Sequence, residues 1–296
     1  MTSTRRTDGD GRAMTSSRLR TWLHDHPLTA FFALAFGLTW AVWVPRALDS
    51  RGVIDARWAV ELGAVWSWMP AVAALLAAVL VGGRPGLREW ASRLVRWRVG
   101  WRWYLLALLG PAAYWVAVGG LASVLGLGTG MSPRVLDLGA AAVLMFAALL
   151  LTDGLGEEPG WRGYALPHWL SRNGALTASI GLGAVWAFWH LPLMFTAGST
   201  MSGSPFAFHL LDLSAASVLY TWLFLRTRGS VLPVIVLHAS FNLWTPVAVP
   251  SGTVGQLAVV LVVKWLLVAV VVWIGLTPSS CSPRRVERQR NRSESV

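Results

Sequence analysis

Gly156-Glu157-Glu158-Pro159-Gly160-Trp161-Arg162-Gly163 follows closely on a long apolar run, residues 140–151. The run reads as a membrane helix, and these eight residues sit where that helix should be ending. Charged groups at such a depth cost roughly 2.5–3.5 kcal/mol each to insert, so two adjacent carboxylates and an arginine there need a reason. A solvated helix face would carry them freely, but the edge of an apolar run would not. The expectation is a working site at the end of a membrane helix.

Composition supports that setting outward from the motif. Of the 296 residues, 55% are hydrophobic and 13% charged, with a mean hydropathy of +0.53. A soluble domain carries about 25% charged residues, so the expected fold class is all-α, a polytopic membrane helix bundle. The length leaves room for about eight transmembrane helices of roughly 20 residues and for no large soluble domain. The apolar runs place spans at 28–44, 58–81 with Pro70 as an internal kink, 104–125, 136–155, 176–194, 206–225, 231–249 and 254–276, with a short helix at 161–170. They form one transmembrane domain, 26–277, between disordered basic tails at 1–25 and 278–296. No cleaved signal peptide is expected, because no small-residue cleavage site follows the first apolar run.

The net charge of +11 comes mostly from arginines lying between the runs. That is the positive-inside pattern and not a nucleic-acid patch. The loops after the even-numbered spans hold most of them, which predicts a multi-pass cell-membrane protein with both termini cytoplasmic. Between 84 and 103, arginines alternate with Trp, Leu and Val, predicting an amphipathic helix in the headgroup plane. The nineteen tryptophans read mainly as interface anchors. One cysteine, Cys281, excludes an internal disulfide.

Polar residues inside the spans narrow the chemistry. Glu158 and Arg162 are four apart and can pair on a helix, whereas Glu157 has no partner nearby in sequence. A carboxylate without a charged partner in a low-dielectric pocket is a better base than a solvated one. His190 ends the fifth run. His238 and Asn242, four apart on the seventh, share one face. Any one of these could be hydrogen-bonding glue between helices, but three spans delivering such groups point to catalysis or transport. Lys264 lacks an evident partner and would snorkel; His209 and Asp212 read as a structural pair, and Glu61 and Asp137 sit near outer span ends.

Two hydrolytic schemes fit. Glu157 and His190 could activate a water while His238 and Asn242 donate to the oxyanion. Alternatively His190, His238 and a carboxylate could hold a divalent metal such as zinc. Neither a His-Glu-x-x-His helix nor a Gly-x-Ser-x-Gly elbow occurs. With one of the two histidines partnered by an asparagine, the residues lean toward the metal-free scheme.

Glu157-Glu158-x-x-x-Arg162 with its continuation Gly163-Tyr164-Ala165-Leu166-Pro167, then His190 behind an aromatic-rich segment, then His238-x-x-x-Asn242 resembles the CaaX protease and bacteriocin-processing (CPBP) family of intramembrane endopeptidases. The resemblance covers roughly 140–250. It departs at Trp186, where the family has Phe. It implies that Glu157 and His190 activate water, that His238 and Asn242 stabilise the oxyanion, and that Glu158, Arg162 and Trp186 support the site or orient the substrate. It implies a protein or peptide substrate, cut near a terminus at the cytoplasmic membrane face. The family is commonly labelled metalloprotease, and a metal-free glutamate mechanism is also argued for it. The lipid bilayer is the expected partner besides substrate, with no role for nucleic acid. The rival readings are a non-catalytic immunity or scaffold protein retaining the fold, and a transporter.

Overall fold

Apolar runs interrupted by proline and glycine dictate helices that start and stop inside the bundle, and the computed structural model has that architecture. It describes residues 21–61, 63–127, 138–245 and 252–276. Most of both basic tails (with Cys281), the stretch with Arg134 and Asp137, and the end of the seventh expected span lie outside the described residues.

The helices are α1 (Pro27–Asp49), α2 (Arg57–Glu61), α3 (Met69–Leu80), α4 (Gly83–Leu94), α5 (Trp101–Val124), α6 (Ala141–Leu149), α7 (Leu155–Gly160), α8 (Leu166–Leu170), α9 (Ala175–Trp189), α10 (Leu191–Phe195), α11 (Phe206–Arg226), α12 (Leu232–Trp244) and α13 (Val254–Trp273). A 3-10 turn, Gly63–Trp68, leads into α3, and π-helical turns at Leu150–Gly154 and Trp161–Ala165 flank α7. No strand occurs among the described residues.

Among the described residues four helices, α1, α5, α11 and α13, are long and apolar enough to cross a membrane. Shorter apolar helices, Val65–Leu80, Ala175–Trp189 and Leu232–Trp244, join them in a polytopic helical bundle, and several of the other expected spans are shorter or broken. At about 1.5 Å per residue, α9 with 15 residues and α12 with 13 fall short of a hydrocarbon core of about 30 Å. Short helices of this kind are compatible with a membrane bundle, where irregular backbone is tolerated if protein covers it. Pro192 stops α9 at Trp189, and Pro70 begins α3 instead of kinking a longer helix, since its missing N–H costs nothing in a first turn.

The broken region from α6 to α8 is clamped on two sides. Gly156 and Gly160 let α7 lie directly on the backbone entering α3. A Cβ on Gly156 would be 2.5 Å from the Ser67 carbonyl oxygen, and one on Gly160 would be 2.6 Å from that of Pro70. On the other side α4 supplies donors. Pro167 has no N–H to offer the Gly163 carbonyl in α-helical register, and Arg93 Nη1 donates to it instead at 3.2 Å. Trp90 Nε1 donates to the Pro159 carbonyl at 2.9 Å. The amphipathic helix expected over 84–103 thus ends at Leu94, and its inner edge braces the motif.

Some of the connections between helices meet one another. Arg96 donates to the Arg228 carbonyl, and Val231 N to Arg93 O at 3.1 Å, so the connections after α4 and α11 meet. At another end Arg51 Nε donates to Phe195 O at 2.9 Å, joining the turns after α1 and α10.

Candidate active site

Glu157, Glu158 and Arg162 all point inward from the segment between the two clamps, and the last two have no exposed surface. Arg162 Nη1 donates to Glu158 Oε1 at 3.0 Å, the pair expected from their spacing. The same oxygen lies 2.8 Å from His238 Nδ1. The guanidinium sits between two ring faces, 4.6 Å from the Trp186 centroid and 4.8 Å from that of Tyr220. Buried this way, the charge is balanced by a carboxylate and by ring quadrupoles in place of water.

Glu157 is not partnerless, which corrects the sequence reading. Its Oε2 accepts from Trp186 Nε1 at 2.6 Å and from Trp161 Nε1 at 3.2 Å. Trp161 follows Glu157 by four residues, so the helical spacing used for Glu158 and Arg162 would also have found it. Indole nitrogens only donate, so this carboxylate is held by two N–H groups without a charge partner.

His190 lies at the junction of α9 and α10. Its Nδ1 is 2.9 Å from the Trp186 carbonyl, which can only accept, so Nδ1 carries the hydrogen and Nε2 keeps its lone pair in the neutral ring. Helix α1 fixes the junction: Trp40 Nε1 donates to Trp189 O, and Trp189 Nε1 donates to Thr39 Oγ1, each at 3.0 Å. Trp186 touches both histidines, with ring centroids 5.8 Å from His190 and 5.4 Å from His238. Not every tryptophan is therefore an interface anchor. Trp43, Trp115, Trp161, Trp186 and Trp189 are buried, while Trp22, Trp58, Trp97, Trp101 and Trp273 remain exposed.

Asn242 shares the His238 face of α12 but has another partner. Its Nδ2 donates to Asp153 Oδ2 at 2.7 Å, from the π-helical turn before α7. Asp153 and Tyr220 are the residues that sequence reasoning missed. Asp153 precedes Glu157 by four, but its pairing depends on α12 packing there. Glu157, Trp186, His190, His238, Asn242, Asp153 and Tyr220 line one cavity of about 450 Å³.

The metal expectation fares differently. Among the described residues, no group of three His, Cys, Asp or Glu side chains could hold a metal ion. Each histidine commits Nδ1, one to a carbonyl and the other to a carboxylate already bound to arginine, which leaves each Nε2 uncommitted, but no third donor joins them among the described residues. This donor set does not fit a metal ion, and no chemical step is derived through one.

With the geometry in hand, similarity to known proteins becomes informative. Residues 139–244 match the family described as type II CAAX prenyl endopeptidase Rce1-like. That match agrees with the resemblance to the CPBP family carried by the motifs. Across 104 residues it is 35% identical to "CAAX prenyl protease 2" of Methanococcus maripaludis, a match covering 32% of this chain and 37% of that protein. The chain thus spans little more than a third of the length of this curated relative. Every cavity residue named above lies within the matched family segment, and Trp90 and Arg93, which brace the motif backbone, lie outside it.

Proposed function

We propose that this chain is an intramembrane endopeptidase that cleaves a protein or peptide substrate near a terminus, at the cytoplasmic face of the membrane. One observation carries the reading: Glu157, held by two indole N–H groups, shares a cavity with His190 and His238, and both histidines pack on the Trp186 that holds it. The family segment supports the same class.

In this reading Glu157 and the free Nε2 of His190 take a proton from water as its oxygen bonds to the scissile carbonyl carbon. The oxyanion accepts from His238 Nε2, in a doubly protonated ring, and from the second N–H of Asn242. As the C–N bond breaks, the abstracted proton passes to the leaving amine. Glu158 and Arg162 position His238 without touching substrate, and Asp153 does the same for Asn242. The name of the archaeal relative makes a prenylated C-terminal peptide the first substrate to try.

Purified protein carrying Glu157→Ala or His190→Ala should lose measurable cleavage of that peptide while keeping its melting temperature. Asn242→Ala should retain cleavage at a kcat lower by about 10²–10³-fold, the usual effect of removing one oxyanion donor. Full activity in Glu157→Ala would refute the proposed base. After dialysis against a strong chelator, with metal removal verified, the rate should be unchanged; activity that vanishes and returns with zinc would overturn the glutamate scheme.

A further inference from the structure

The cavity has a second polar region that the proposed chemistry does not use. Lys264 of α13, expected to snorkel, is instead 4% exposed and forms an ion pair with Asp212 of α11. Asp212 is therefore the partner of Lys264 and not, as the spacing suggested, of His209. The ammonium also faces two aromatic rings, 5.4 Å from the Tyr114 centroid and 5.5 Å from that of Phe241. Two further nitrogens line this region: His209 Nε2 and Trp115 Nε1 are buried and have no hydrogen-bond partner. His209 is 7% exposed and Trp115 3%.

An ammonium and an indole only donate. His209, whose ring also hydrogen-bonds the Met201 backbone, donates through Nε2 to an anion when doubly protonated, so this region offers more donors than Asp212 can satisfy. The ligand that fits is small, anionic and able to accept several hydrogen bonds at once. We infer that Lys264, His209 and Trp115 form a carboxylate-binding subsite that anchors the substrate of the proposed peptidase, an inference that rests on that reading for its occupant. Its separation from the catalytic groups is suitable. Tyr220 packs on His238 at 5.8 Å, Phe241 on Tyr220 at 6.1 Å, and Lys264 on Phe241, a path that a few residues of extended peptide cover at about 3.3–3.6 Å each. The carboxylate is either the C-terminus of the substrate or an acidic side chain near it.

Calorimetric titration of the full chain in detergent separates these sources. Three probes are used: an N-acetylated, leucine-rich tetrapeptide with a free C-terminus, its C-terminal amide, and that amide with aspartate as the last residue, each checked afterwards for integrity by mass spectrometry. The free acid should bind at least tenfold more tightly than the plain amide. That ratio should fall below twofold in the double variant Lys264→Met with Asp212→Leu, which removes the ion pair without stranding one charge. If the double variant does not fold, His209→Gln with Trp115→Phe keeps the pair and should reduce the ratio at least threefold. Tight binding of the aspartate amide, lost in the same variants, would support the subsite and assign it to a side chain. Equal affinity for all three probes, or a preference that survives both double variants, would overturn it. Because binding is read without turnover, an intact acid preference in a chain that cleaves nothing would count against the peptidase reading alone.

Discussion

Arg162 has no exposed surface, yet it carries a full charge inside a membrane protein. Its guanidinium is tied to Glu158 and packed between Trp186 and Tyr220, and through Glu158 it fixes the ring of His238. Removing one member of a buried pair strands the other, at about 3–5 kcal/mol, whereas replacing both with apolar residues is far milder. Arg162→Met should therefore lower the melting temperature sharply, and Glu158→Leu with Arg162→Met should recover much of the loss while leaving the protein inactive. Thermal unfolding in detergent checks this; a double variant no more stable than the single one would show that the pair is not the unit that matters. Spacing alone was enough to pair Glu158 with Arg162, which lie one helical turn apart. Of the indole donors to Glu157, Trp161 lay within reach of the same spacing, whereas Trp186, 29 residues away, is brought in only by packing.

At the scale of elements, the site depends on a segment that is not one regular helix. Two π-helical turns flank the six-residue α7, and α7 lies so close to the start of α3 that side chains at Gly156 and Gly160 would collide with backbone. Insertions of this kind re-aim the residues around them, which here sends Glu157 and Glu158 to different partners. Gly156→Ala or Gly160→Ala should displace α7, eliminate cleavage and reduce stability. Gly119→Ala in α5, where a Cβ meets nothing within 4 Å, should be harmless. Activity assays and melting curves on the three variants check the contrast, and an active Gly156→Ala would mean that the close approach is dispensable. Periodicity read the apolar runs as full spans because hydropathy cannot say where a helix breaks inside a bundle. Proline marked some of the breaks, and packing decided the others.

Across the whole molecule, contacts group the connections into two sides. The connections after α4 and α11 meet on the arginine-rich side, and Arg226 at the end of α11 also donates to the carbonyls of Ile274 and Gly275 after α13. The turns after α1 and α10 meet elsewhere. By the positive-inside rule the arginine-rich side should face the cytoplasm, which would also place the C-terminus there. A C-terminal reporter that is active only in the cytoplasm should therefore give signal; signal from a reporter active only outside would reverse the orientation and with it the face at which substrate enters.

Composition and the order of apolar runs determined that this chain is a helical membrane bundle. Residue spacing was sufficient to pick out Glu157, Glu158, Arg162, His190, His238 and Asn242 as one candidate site, because charge within hydrocarbon is costly enough to need a purpose. The tertiary structure decided their partners. It gave Glu157 its indole donors, His238 to Glu158, Asn242 to Asp153 and Lys264 to Asp212. Apart from Trp161, these partners lie between 29 and 89 residues away along the chain. Periodicity reports which residues share a face of one helix, but which faces meet depends on how closely the helices pack.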